Sequence, residues 1–161
     1  MADFLTAVTK TLEYEGGLVD NPADPGGLTN FGIALKFHPE LTADDIRAMT
    51  RTRAIGIYRQ QYWPDIYTQI QSQAVANCLF DFGVTSGPAT AVQTIQGILF
   101  LRGHGSQDGA FGPATLAAVN RQAEEALVKE FTVERLRFYV GLNRPDDLHA
   151  WFSRAIDALM V

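Results

Sequence analysis

Cysteine is all but missing: the chain of 161 residues has one, Cys78. A single thiol allows no internal disulfide and no cysteine-built metal cage. Such a chain suits a reducing compartment and must hold itself together through its core. Cys78 sits in the apolar run 74–80 and reads as a small buried hydrophobe. Charge is also scarce, at 19 % Asp, Glu, Lys and Arg, and its balance is −5. An acidic chain lacks the basic face of a general nucleic-acid binder, so no nucleic-acid partner is expected. No stretch approaches the roughly 18 apolar residues of a membrane span, so no integral membrane segment is expected. The start, Met1-Ala2-Asp3-Phe4-Leu5-Thr6, has neither the basic region nor the apolar core of a secretory signal. The expectation is synthesis in the cytoplasm, with action on any outside substrate only after release. His38, His104 and His149 are scattered without metal-ligand spacing and are expected at the surface. The segment Asp20-Asn21-Pro22-Ala23-Asp24 fails the calcium-loop pattern, with prolines at 22 and 25 and no glycine at its sixth position. No metal and no other cofactor is expected.

What remains is apolar and helical. Hydrophobic residues make up 47 %, enough for one compact domain or a catalytic domain with a small lobe. Asp3 can cap a helix running to about Glu15, where Gly16-Gly17 stops it. Prolines and glycines then impose a loop through Gly27, and Thr29 to Ala34 reads as a short strand or extended segment. Thr42 with Asp45 forms a capping signal. Thr52 to Trp63 reads as a helix ended by Pro64, and Ser72 caps a buried helix to about Phe82. Further helices are expected near Ala89–Phe100, from Pro113 after the turn 108–112, over about Gln122–Leu142, and from about Pro145.

The first helix carries two carboxylates of opposite orientation. Phe4, Val8 and Leu12 form a drifting apolar stripe. At about 100° per residue, Glu15 returns to within about 20° of Phe4, whereas Glu13 lies about 180° away. Glu15 therefore faces the core side where the helix stops, and Glu13 faces solvent. Burying a lone carboxylate is costly, so such a group takes a partner or keeps a proton. A carboxylic acid that keeps its proton is what glycoside hydrolysis needs as its general acid. Helix geometry alone leaves both roles open for Glu15, structural pairing and catalysis.

The residues after Glu15 carry a longer pattern. Glu15-Gly16-Gly17, the loop Asn21-Pro22-Ala23-Asp24-Pro25-Gly26-Gly27, and Thr29-Asn30-Phe31-Gly32-Ile33 together resemble the signature of glycoside hydrolase family 108. That family contains N-acetylmuramidases, many from phages and prophages. Asp81-Phe82-Gly83-Val84-Thr85-Ser86-Gly87-Pro88 is similar to a second segment of the family, with Thr85 where Asn is usual. Leu18 replaces an aromatic residue of the pattern. Gln96 and the run Asp108-Gly109-Ala110-Phe111-Gly112-Pro113-Ala114-Thr115-Leu116 resemble the peptidoglycan-binding region that follows. The resemblance implies an all-α, lysozyme-like fold. It implies a catalytic region over 1–90 and a peptidoglycan-binding helical region over 91–161, packed together as one compact unit. It also implies cleavage of the β-1,4 bond between N-acetylmuramic acid and N-acetylglucosamine in peptidoglycan glycan strands, and the chain is expected to act as a monomer.

Within that implication Glu15 matches the catalytic glutamate. Asp24, nine positions later, is a candidate for stabilising the sugar cation or activating water, or it braces a Pro-Gly turn. Thr29 is a candidate for holding that water, or it caps local structure. Its spacing from Asp24 is one shorter than in phage-type lysozymes. Candidate sugar contacts are Asn30, beside Thr29, and Tyr62 and Trp63, whose rings either stack on sugar or fill core. Asn77 and Asp81, four apart on one helix face, either line a cleft or form a buried bracing network. A lytic transglycosylase, which closes an anhydro ring, and a non-catalytic wall-binding module are the competing functions.

Overall fold

The computed structural model describes residues 1–20, 27–101, 103–104 and 107–157. Eight α-helices and three short strands among the described residues make it all-α and lysozyme-like, with 69 % helical. The chain divides into two compact units, residues 8–61 and residues 1–7 with 62–161.

In the 8–61 unit, α1 (Phe4–Tyr14) enters from the other unit and ends just before Glu15. Asp3 caps it, its Oδ1 accepting from the Thr6 amide at 2.8 Å. Three strands follow, β1 (Val19–Asp20), β2 (Leu28–Asn30) and β3 (Ile33–Ala34), paired antiparallel in that order. Asn30 pairs with Ile33, so Phe31-Gly32 is a two-residue hairpin tip. Both tip residues have positive φ, 49° and 74°, as a primed hairpin turn requires. Next, α2 (Ala43–Arg47) opens on a capping box in which the Thr42 hydroxyl accepts from the Asp45 amide and Asp45 reaches back to the Thr42 amide. The Asp45 carboxyl is held well below the usual range by these Thr42 hydrogen bonds, with help from Arg53. The unit closes with α3 (Arg51–Tyr62). Val8, Leu12, Ile33, Ile46, Ala54 and Tyr58 are buried.

His38 departs from the expected surface position: it is buried, with Nδ1 3.0 Å from Glu40 Oε1. An imidazole has an apolar ring as well as two polar nitrogens, so one close carboxylate partner lets it enter a core. His149 is exposed and His104 half-buried.

Among the described residues of the other unit the regular elements are helices, chiefly α4 (Gln73–Ser86), α5 (Pro88–Leu101), α6 (Pro113–Val119), α7 (Glu124–Gly141) and α8 (Pro145–Asp157). Ser72 caps α4, its hydroxyl accepting from the Val75 amide at 3.0 Å. The helix continues past Phe82 to Ser86, and Gly87, with a φ of 91°, turns the chain into Pro88. Cys78 is buried on α4. The helices α5 and α7 pack on α4, and α8 packs on α7. Among the described residues no helix is long and apolar enough to cross a membrane.

Candidate active site

Glu15 is half-buried immediately after α1, while Glu13 is exposed. The hairpin tip gives Glu15 its surroundings. A Cβ built on Gly32 would lie 2.5 Å from Glu15 Oε2 and closer still to the Tyr58 hydroxyl oxygen. The carboxylate and the phenol thus crowd the space that any side chain at position 32 would take. Glycine is required twice here, for its positive φ and for this close approach.

Tyr58 fixes the tip. It is 1 % exposed on α3, and its hydroxyl donates to the Phe31 carbonyl at 3.1 Å. Phe31 is a non-glycine residue in the left-handed region, a conformation that needs outside support. Three separate elements thereby converge: the end of α1 supplies the carboxylate, the β2–β3 tip supplies the gap, and α3 supplies the phenol. A half-buried carboxyl group fixed at the end of a helix is equipped to deliver a proton to a bound oxygen.

The neighbouring residues take bracing positions. Thr29 is half-buried on β2, and its hydroxyl donates to the Gly27 carbonyl at 3.3 Å. Asn30 is buried, and its amide donates to the Ile46 carbonyl at 3.0 Å, tying β2 to α2. Asp24 lies outside the described residues.

Tyr62, Trp63, Asn77 and Asp81 belong to the other unit. Tyr62 is half-buried. Trp63 is 2 % exposed and makes T-shaped contacts with Phe4, Tyr67 and Phe80, so it fills core and is not open to a sugar. Asn77 is buried and accepts from Gln73 Nε2 at 2.7 Å. Asp81 accepts from Arg135 Nη2 at 2.6 Å and from Arg154 Nη2 at 2.7 Å. Burial pushes the Asp81 carboxyl up, but the two guanidinium groups outweigh it and hold the group below the usual carboxylate range. Of the two roles open to Asp81, this geometry is that of a bracing network joining α4, α7 and α8.

Two residues with no role assigned from sequence enter the site. Gly32 stood inside the motif, but nothing local tells that its missing side chain makes room for Glu15. Tyr58 carries no sequence signal, since its role comes from α3 lying beside the hairpin. Among the described residues no three His, Cys, Asp or Glu side chains gather as a metal site.

This geometry lies inside a stretch, residues 8–87, that matches the sequence profile described as "Glycosyl hydrolase 108". Residues 90–155 match a second profile, "Predicted Peptidoglycan domain". A solved structure, "Structure of Brucella abortus SagA", is similar at 31 % identity and a TM-score of 0.75, covering 97 % of this chain and 95 % of that one. The chain belongs to glycosyl hydrolase family 108. It is a glycoside hydrolase that acts on peptidoglycan. No curated protein matches it.

Proposed function

We propose that this family 108 enzyme is an N-acetylmuramidase that cleaves the β-1,4 bond between N-acetylmuramic acid and N-acetylglucosamine, with Glu15 as general acid. The observation that carries the reading is the gap at Gly32, which the Glu15 carboxylate and the Tyr58 hydroxyl occupy. Glu15 gives its proton to the bridging oxygen as the bond from the muramic-acid C1 breaks. Positive charge then develops at C1, and water adds there and releases its proton to a carboxylate. Asp24 is the residue we assign to steady that charge or take the water's proton, and Thr29 to hold the water. Asn30 positions Thr29 through its bond to Ile46.

The test is hydrolysis of purified peptidoglycan, with products read by mass spectrometry. Glu15→Gln should lower the rate by about 10²–10⁴-fold, the usual loss for a general acid, while Glu13→Gln stays active. A Glu15→Gln enzyme with more than a tenth of the wild-type rate would overturn the assignment. Products ending in reducing muramic acid support hydrolysis, and anhydro ends would make the enzyme a lytic transglycosylase. Asp24→Ala should lower kcat more than it raises KM.

The reading extends to an endolysin-like role, as a monomer acting on the wall after release. Its support is the resemblance to phage-type N-acetylmuramidases. Lysis of cells by externally added enzyme, with sedimentation as a single chain, tests both parts.

A further inference from the structure

A groove of about 660 Å³ opens between α5 and α7, within the 62–161 unit. Gln93, Thr94 and Gly97 of α5 form one wall, Glu134, Arg137 and Phe138 of α7 the other, and Gln107 stands at the rim. On each helix these positions share a face by their spacing. A second hollow of about 350 Å³ continues the groove along the same two helices toward Lys129 and Val133. The two hollows share Ile98, Leu101, Glu134 and Arg137, so together they form a trough.

Two local features leave the trough open. Gly97 lies inside α5, where glycine weakens a helix by about 1 kcal/mol relative to alanine. Packing does not require it, because an added Cβ would meet no atom within 4 Å. Its missing side chain leaves groove volume. The α5 wall is also braced by the buried amide of Gln96. That amide donates to Asp108 Oδ1 at 2.8 Å and to the Ala110 carbonyl at 3.0 Å, and accepts from the Gly109 amide at 2.8 Å. Gly109, with φ of 76°, brings this turn against Gln93, whose Cγ would stand 3.3 Å from a Cβ at 109. The run 108–116 thereby fixes Gln93 in the wall.

The lining selects the occupant. Arg137 pairs with Glu134 at the mouth and remains 71 % exposed, so both signs of charge are on offer. Lys129 adds a second cation further along. Glutamine amides and the Thr94 hydroxyl can bond to peptide groups, while Ile98 and Leu101 offer apolar surface for methyl side chains. The aromatic lining residue Phe138 is half-buried and meets Phe82 edge-on. Carboxylates interspersed with the cations disfavour a polyanion. We infer that the α5–α7 trough binds the stem peptide of peptidoglycan, a short zwitterionic chain with free carboxylates and alanine methyls. The inference rests on peptidoglycan being the substrate, and adds a peptide-reading site apart from Glu15.

The test uses the full chain with a soluble stem tetrapeptide followed by NMR titration, and with two insoluble polymers. These are intact sacculi and glycan strands stripped of peptide by an amidase. Wild type should shift resonances of α5 and α7 with the tetrapeptide and sediment with intact sacculi more than with stripped strands. Arg137→Glu should weaken tetrapeptide binding by about tenfold, the value of one charge-assisted hydrogen bond, and Gly97→Leu, which puts a side chain into the trough from a position where its Cβ meets no protein atom within 4 Å, should weaken it at least as much by filling the space. Both should cleave stripped glycan at the wild-type rate. Equal binding of wild type to intact and stripped polymers, or unchanged tetrapeptide binding by both variants, would overturn the inference. Glu15→Gln should bind the tetrapeptide as wild type does. Retained activity in that variant would instead count against the proposed mechanism and leave the trough reading standing.

Discussion

Glu15 occupies the space that a side chain at residue 32 would fill, its Oε2 only 2.5 Å from where the Gly32 Cβ would stand. The acid is therefore positioned by an absence on a neighbouring hairpin as much as by its own helix. Gly32→Ala should force the carboxylate or the tip to move. Displacing a catalytic group by about 1 Å costs on the order of 10²-fold in rate, and kcat on soluble muropeptides should fall by that order. The φ of 74° adds backbone strain of about 1 kcal/mol or more, so the melting temperature should fall as well. Activity per folded molecule, with folding followed by circular dichroism, separates the two effects.

Tyr58 reaches the same place from α3. Tyr58→Phe keeps the ring and removes the bond to the Phe31 carbonyl. The loss in stability should be about 0.5–1.5 kcal/mol, typical of one net hydrogen bond. Because the bond steadies the tip beside Glu15, kcat should fall while KM changes little. A loss of stability with kcat unchanged would make the tyrosine structural only. Urea denaturation and initial rates on muropeptides provide the two readings.

Local chemistry made the helix starts legible. Asp3, Thr42, Ser72 and Pro113 each act within three or four residues, and each stands where its helix begins. Glu13 faces solvent on α1 as its spacing from Phe4 directs, whereas Glu15 follows the end of the helix and its place is set by the hairpin beside it. What stayed hidden depends on distant partners. Asp81 is satisfied by arginines 54 and 73 residues away, so its side chain looks equally suited to a cleft or to a brace from sequence. Trp63 is a residue type suited to stacking on sugar, but it is buried among Phe4 and Phe80. His38 enters the core because Glu40 meets its nitrogen. Tyr58 joins the site only through the placing of α3 against the hairpin.

Asn30 should separate fold from chemistry in the opposite sense. Its amide holds β2 to α2 through the Ile46 carbonyl, and Asn30→Ala leaves that buried acceptor without this partner. The cost should be about 1–3 kcal/mol. Asn30→Asp keeps the size but cannot donate when ionised, so it should destabilise at neutral pH and recover in part when acidified. Thermal unfolding at two pH values checks this.

The network around Asp81 should set the acid limit of the 62–161 unit. Arg135 is 1 % exposed, bonded to Asp81 and, through Nε, to the Tyr139 hydroxyl at 2.8 Å. Arg154 brings α8 onto the same carboxylate. Removing Asp81 leaves two guanidinium groups with no charge between them, and Asp81→Ala should cost about 3–5 kcal/mol, as for other broken buried pairs. The pH dependence follows from the depressed carboxyl. In the unfolded chain an aspartate titrates near about 3.9, and in the folded chain Asp81 titrates lower. Between those values the unfolded state binds more protons, so lowering the pH favours unfolding. The stabilisation is complete above the unfolded value and is lost as the pH falls through the folded one. Wild type should therefore lose stability steeply in acid, whereas Asp81→Ala starts lower and loses less over the same interval. Denaturant midpoints measured from neutral pH down to the acid limit, for wild type and variant, test the slope. Parallel curves would show that the acid sensitivity lies elsewhere, and that the two arginines do not draw their stability from this carboxylate.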